Sequence, residues 1–161
     1  MLLSLFPLIS TLLTATTATP SPIAQSPLAS SQGRFSWTDL GLPEDILQIS
    51  KLTIDPDALE TGTNYTITHT GTLSADLEEG ATVDLTIKLG LIKLLATTID
   101  LCDNEYLKLE CPVAKGEVSW TTESAMLPRE VPKAKFKIQA VGLTAEDEDL
   151  FSVEAEVDFR G

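Results

Sequence analysis

Few residues in this chain have the types needed for covalent or metal chemistry. There is a single histidine, His69, and there are two cysteines, Cys102 and Cys111, among 161 residues. A nucleophilic triad needs a general base, usually histidine. His69 is in alternating phase with Tyr65 and Ile67, which puts it on an inward strand face as a packed core residue. One histidine excludes a His-rich metal site, and two cysteines cannot supply the four thiolates of a Cys-only zinc site. The run Glu146-Asp147-Glu148-Asp149 lacks the spaced ligands, glycine and terminal glutamate of an EF-hand loop. It reads as a charged hairpin tip that keeps a sheet edge in water. No G-x-S-x-G, P-loop or dinucleotide fingerprint occurs. The expectation is therefore no catalytic residue, no metal and no cofactor.

Cys102 and Cys111 lie nine positions apart, with Pro112 directly after the second. In an oxidising lumen this spacing suits a local disulfide; in a reducing compartment the pair would be two buried thiols. The leader favours the disulfide. Arg34 is the first charged side chain, and Leu2 to Leu13 is an apolar run of signal-peptide length, too short to span a bilayer. Thr16 and Ala18 stand like the small residues of a cleavage site, so residues 1–18 are expected to be a signal peptide. Residues 19–33, rich in Pro, Ser and small side chains, read as a linker or pro-segment. Asn64-Tyr65-Thr66 is an N-glycosylation sequon, with Asn64 on an outward phase. These features place the chain in the secretory pathway, outside the cell or in a vacuolar or lysosomal lumen. The 11 Lys and Arg against 24 Asp and Glu give a net charge of −13, which argues against nucleic acid.

These residues need a scaffold, and the dominant period from Arg34 onward is two. Val83, Leu85 and Ile87 alternate with Asp84, Thr86 and Lys88, and Phe136 and Ile138 alternate with lysines. Val118 and Trp120, and Val153, Ala155 and Val157, behave in the same way. Turn signals separate seven expected strands, at about 46–54, 63–73, 81–89, 92–100, 116–122, 133–143 and 150–159. This is the pattern of an all-β, immunoglobulin-like antiparallel β-sandwich. The stretch Leu89-Gly90-Leu91-Ile92-Lys93-Leu94-Leu95 is apolar on both phases. It suits either a central strand pair buried on both faces or a wall beside a cavity, and periodicity does not separate the two.

A family resemblance rests on an ordered set of landmarks. Leu101-Cys102 followed by Cys111-Pro112-Val113-Ala114-Lys115-Gly116 resembles the central disulfide loop of the ML (lipid-recognition) domain. Asp39-Leu40-Gly41 with Asp45-Ile46-Leu47, Ile54-Asp55-Pro56 with Gly62, and Gly71 with Glu79-Gly80-Ala81 resemble its opening strands. Leu127-Pro128 with Val131-Pro132 resembles the loop at its pocket mouth, and Asp149-Leu150-Phe151-Ser152-Val153-Glu154 resembles its last strand. The resemblance covers about residues 35–160, with the domain placed at 34–161, and is strongest to fungal phosphatidylglycerol/phosphatidylinositol transfer proteins and soluble Niemann–Pick type C sterol carriers. One departure is notable. The family usually has a cysteine pair where Leu40 and Ser152 stand, and here both are missing together. Apolar burial of Leu40 would partly offset that loss.

The resemblance implies an apolar pocket between the two sheets, open at one end. The strand phases supply its candidate lining: Tyr65, Ile67, Val83, Leu85, Ile87, Val118, Trp120, Phe136, Ile138 and Val153. Leu127, Pro128 and Val131 would form the rim. The function implied is that of a lipid-binding protein, carrying sterol or phospholipid non-covalently between membranes. Its expected partners are the lipid, a transient membrane contact and a membrane sterol-transport protein, with the carrier a monomer and no nucleic acid involved. The rival expectation is an immunoglobulin-like interaction module with a filled core and no ligand.

Overall fold

The computed structural model describes residues 29–32, 34–107 and 109–160. The expected signal peptide, and the expected linker apart from residues 29–32, lie outside the described residues. All regular elements among the described residues are strands. In chain order they are β1 (Ala29–Gln32), β2 (Phe35–Asp39), β3 (Leu47–Asp55), β4 (Asn64–Leu73), β5 (Thr82–Leu89), β6 (Ile92–Asp100), β7 (Gly116–Thr121), β8 (Ala125–Met126), β9 (Lys135–Leu143) and β10 (Asp149–Asp158). They form two antiparallel sheets. The larger has the order β1-β2-β10-β9-β5-β6; the smaller has β3-β4-β7, with β8 pairing β4.

The seven strands expected from period two are all present, within a residue or two at each end. Three further strands are short and gain their pairing from neighbours. In β2 only Phe35 and Trp37 mark the inward phase, and both are buried. Strand β1 lies in the stretch expected to be linker. Its backbone pairs with β2 from Ala29 opposite Thr38 to Gln32 opposite Phe35, and backbone pairing at a sheet edge asks little of side-chain type.

The sheets meet along β2, β10 and β3, where the amide of Ile46 donates to the carbonyl of Asp149 at 3.2 Å. One end of the sandwich is packed shut. Leu77, Ala81 and Leu150 are essentially inaccessible there, with Leu47 and Leu73 beside them. The other end gathers the β5–β6 turn, the start of β4, the loop from β8 to β9 and the end of β10. Outward phases carry charge. On the face of the larger sheet Lys135 pairs with Glu156 at 2.8 Å and Lys137 with Glu154 at 2.7 Å.

Glycine is required at Gly71, where an added Cβ would run into the backbone carbonyl of Gln48 on β3. That close approach sits where the β3–β4 register shifts, between Ile49 and Lys51. The bulge lets Leu47 and Ile49 on one side, and Leu52 and Ile54 on the other, all face the sandwich interior.

The positions of the missing cysteine pair are neighbours in space: the amide of Leu40 donates to the carbonyl of Ser152 at 2.8 Å. Leu40 is 49% exposed, so the expected offset by its burial is only partial. The backbone hydrogen bond and the β2–β10 pairing hold this edge instead. Restoring the pair as Leu40→Cys with Ser152→Cys is expected to close a second disulfide and stabilise the fold by about 2–4 kcal/mol. Thiol counting and the denaturation midpoint with and without reductant measure both effects.

Candidate functional site

Inward phases of both sheets leave a space unfilled toward the open end. The cavity measures about 640 Å³, within the roughly 300–1,000 Å³ typical of ligand pockets. The sequence-expected residues that line it are Tyr65 and Ile67 of β4, Val83, Leu85 and Ile87 of β5, Trp120 of β7, Phe136 and Ile138 of β9, and Val153 of β10. From the rim, Leu127 and Val131 reach it.

Two expected residues do not line it. Val118, opposite Gly71 on the outer strand β7, packs against the core cluster without reaching the cavity, whereas Ile49 on the other side of Gly71 does line it. Pro128 is exposed. The loop turns at that point, with the amide of Val131 donating to the carbonyl of Pro128 at 3.4 Å, so Leu127 and Val131 point in while the proline ring points out.

Much of the lining was not singled out in the sequence. Leu94, Leu95 and Ile99 of β6 belong to it. The doubly apolar stretch 89–95 is therefore not a strand pair buried on both faces. Strand β6 is the outer strand of its sheet, and its pairing with β5 slips between Ile87 and Lys88. Ile87 faces Leu95 and Lys88 faces Lys93, so Leu94 is the extra residue and two consecutive leucines reach the cavity.

The segment between β6 and β7 forms the side wall. Cys102 and Cys111 are joined by a disulfide, and Leu77 and Val113 exchange backbone hydrogen bonds just beyond it. Farther along the loop the amide of Glu123 donates to the carbonyl of Tyr106 at 2.6 Å. Asn104 Oδ1 accepts from the amides of Tyr106 and Leu107 at 2.9 and 3.2 Å. The loop is thus closed by the disulfide, pinned at Val113 and pinned again mid-loop at Tyr106, and Tyr106, Leu107 and Leu109 line the cavity. No period marks these residues, because the loop is held by a disulfide and a few separate hydrogen bonds and not by a ladder.

Polar groups in the lining are few. Thr122 Oγ1 accepts from the amide of Ile67 at 2.9 Å, and burial pushes the Tyr65 hydroxyl to a higher pKa. Among the described residues the lining contains no carboxylate, thiol, lysine or arginine. His69 belongs to it, with its ring 4.5 Å from that of Trp120 and Nε2 shut off from solvent, without a hydrogen-bond partner among the described residues. This environment can desolvate apolar surface at about 25 cal/mol per Å². Asn64 is exposed at the start of β4, opposite Met126.

Burial lowers the His69 pKa from 6.5 to about 4. The folded state therefore refuses a proton that the unfolded chain accepts. The fold is at full strength above about pH 6.5 and loses of order 3 kcal/mol through this residue as pH falls through 4. A ring-proton NMR titration is expected to find a midpoint near 4. His69→Phe is expected to flatten the acid dependence of the unfolding free energy over the same interval.

A profile described as "ML domain" matches residues 41–159. A phosphatidylglycerol/phosphatidylinositol transfer protein of Cryptococcus neoformans is 40% identical over 132 residues, covering 80% of this chain and 73% of that protein. Its namesake in Neurospora crassa is 35% identical over 127 residues, covering 78% of this chain and 71% of that protein. Among solved structures, a Niemann-Pick type C2 protein from the Japanese carpenter ant superposes with a TM-score of 0.58 at 15% identity, covering 74% of this chain and 96% of that one. Chicken MD-1, solved in complex with lipid IVa, gives 0.57 at 16% identity and covers 80% of this chain and 93% of that one. At those identities the likeness to the solved structures is one of fold.

Proposed function

The chain belongs to the ML-domain family, and on that premise we propose that it is a lipid-binding and lipid-transfer protein holding one lipid non-covalently between its sheets. The observation that carries this reading is the open apolar cavity of about 640 Å³. The transfer proteins of Cryptococcus neoformans and Neurospora crassa add the class of cargo, a phospholipid with a glycerol or inositol head group. Sterol is the competing ligand to test beside it.

The mechanism needs only differential solvation. Apolar chains enter the space lined by both sheets and leave water, while the head group stays toward the mouth. Release reverses the step at a second membrane, so no bond is made or broken and no residue acts as a catalyst. The expected lining residues, less Val118 and Pro128, are the binding set of this proposal, joined by Leu94, Leu95, Ile99 and Tyr106. A filled-core interaction module, the rival expectation, does not suit a sandwich with this much unfilled apolar space. The disulfide supports a lumenal or extracellular compartment. A monomeric carrier that hands its cargo to a membrane transport protein completes the proposal.

Ile138 sits mid-wall on β9, opposite Ile87 and Ala155. Ile138→Trp is expected to occupy the space a lipid chain would take and to lower uptake of a fluorescent phospholipid at least about tenfold. Far-UV circular dichroism should stay that of a folded β protein. Lipid extraction and mass spectrometry of the purified wild type identify the cargo. Uptake that survives in the folded variant would sink this placement of the site.

A further inference from the structure

Strand β6 exposes apolar side chains where the outer strand of a sheet ordinarily carries charge. Its hairpin with β5 turns at Gly90, with φ +57°, and Leu91. Leu91 is fully exposed, Ile92 is 64% exposed, and Leu94 and Leu95 are 51% and 44% exposed. From Leu85 to Ile99 the only charged side chains are Lys88 and Lys93, with no carboxylate. In a chain of net charge −13 this is a local reversal of sign.

The reversal runs along the strand axis. At the mouth end Arg129 and Lys133 lie between β8 and β9, Lys135 is paired with Glu156 and Arg160 with Asp158, and Asp55, Asp57, Glu60 and Glu130 stand among them, so cations and carboxylates are balanced there. The shut end carries the run Glu146 to Asp149 in one turn, and Asp76, Glu78 and Glu79 in another, with no Lys or Arg in either. An anionic surface therefore repels the shut end far more than the mouth end, where the acid-free hairpin with Lys88 and Lys93 is the part it attracts.

We propose that the tip of the β5–β6 hairpin, Leu91 and Ile92 flanked by Lys88 and Lys93, inserts into the surface of an anionic lipid bilayer and sets the cavity mouth against it. The proposal rests on the lipid-transfer reading and names the element that docks. Leu94 and Leu95 follow on the same strand and line the cavity, so a lipid chain leaving the bilayer meets the cavity wall without crossing water. The tip enters the apolar zone while the lysines stay at the level of the head groups. A second copy pairing along β6 is the other occupant such an edge could take. Lys93 and the slipped register at Ile87 and Lys88 oppose it, since charges and bulges are what keep sheet edges apart.

The test uses the full chain with vesicles of phosphatidylcholine alone and of phosphatidylcholine with phosphatidylserine. Leu91→Asp with Ile92→Asp, neither residue in the cavity lining, is expected to cut vesicle flotation and intervesicle transfer at least about tenfold. Uptake of a detergent-dispersed fluorescent phospholipid should stay at the wild-type level. Lys93→Gln is expected to lose about fivefold in binding to the anionic vesicles and nothing on the neutral ones. In a Leu91→Trp variant the added indole should shift to shorter emission wavelength on anionic vesicles and be quenched by brominated acyl chains. Unchanged flotation and transfer in the double variant would overturn the proposal. So would a wild-type dimer in sedimentation that the double variant abolishes while vesicle binding persists. A wild type that floats through its hairpin but takes up no dispersed lipid supports the docking surface and sinks the transfer reading, so the two failures differ.

Discussion

Two apolar sheet faces meet closely at one end of this sandwich and stay apart at the other, and the rest of the structure depends on that difference. At the shut end Leu77, Ala81 and Leu150 are closed off from solvent, and Leu77 and Leu150 bound the cavity from that side. Toward the mouth the inward residues of β4, β5, β9 and β10 face each other across about 640 Å³. Side chains lining such a gap forgo dispersion contacts and burial. A bound lipid chain would restore both. The filled end fixes the spacing of the sheets, and the unfilled end uses that spacing.

Holding the outer strands apart requires a wall that is not part of either sheet. The segment from Leu101 to Lys115 serves this role, anchored by the Cys102–Cys111 disulfide and by hydrogen bonds at Val113 and Tyr106. Among the described residues strand β6 has no partner on its outer side; its Leu94 and Leu95 line the cavity while Ile92 faces water. Charge is distributed in the same sense: the carboxylate-rich turns are at the shut end and the acid-free hairpin is at the open one. Uptake, docking and solubility are thus assigned to different parts of one small fold.

Strand phase was legible in the sequence wherever a strand has one wet face and one dry face. That is why Tyr65, Ile67, Val83, Leu85, Ile87, Trp120, Phe136, Ile138 and Val153 were found from alternation and all line the cavity. Alternation reports which face a residue is on but not whether it reaches the cavity, so Val118 was included although on the outer strand β7 it packs against the core cluster. Pro128, expected at the rim, is exposed in the loop there, and a loop has no phase to say which of its residues turn inward. Leu52 and Ile54 of β3 were hidden by a bulge, and Leu94 and Leu95 by a slipped register that aims both inward.

The sequence by itself determined the all-β class, seven of the strands and, through the ordered landmarks, the family. These are local or near-local quantities, set by side-chain periodicity, turn chemistry and short spacings. Only the tertiary structure decided that the two inner faces leave a cavity, where along the strands it lies, and that β6 is an exposed edge and not a buried partner. Those properties depend on the distance between layers and on which strand has no neighbour. Both arise from contacts between residues far apart in the chain, such as Ile46 with Asp149 and Tyr106 with Glu123.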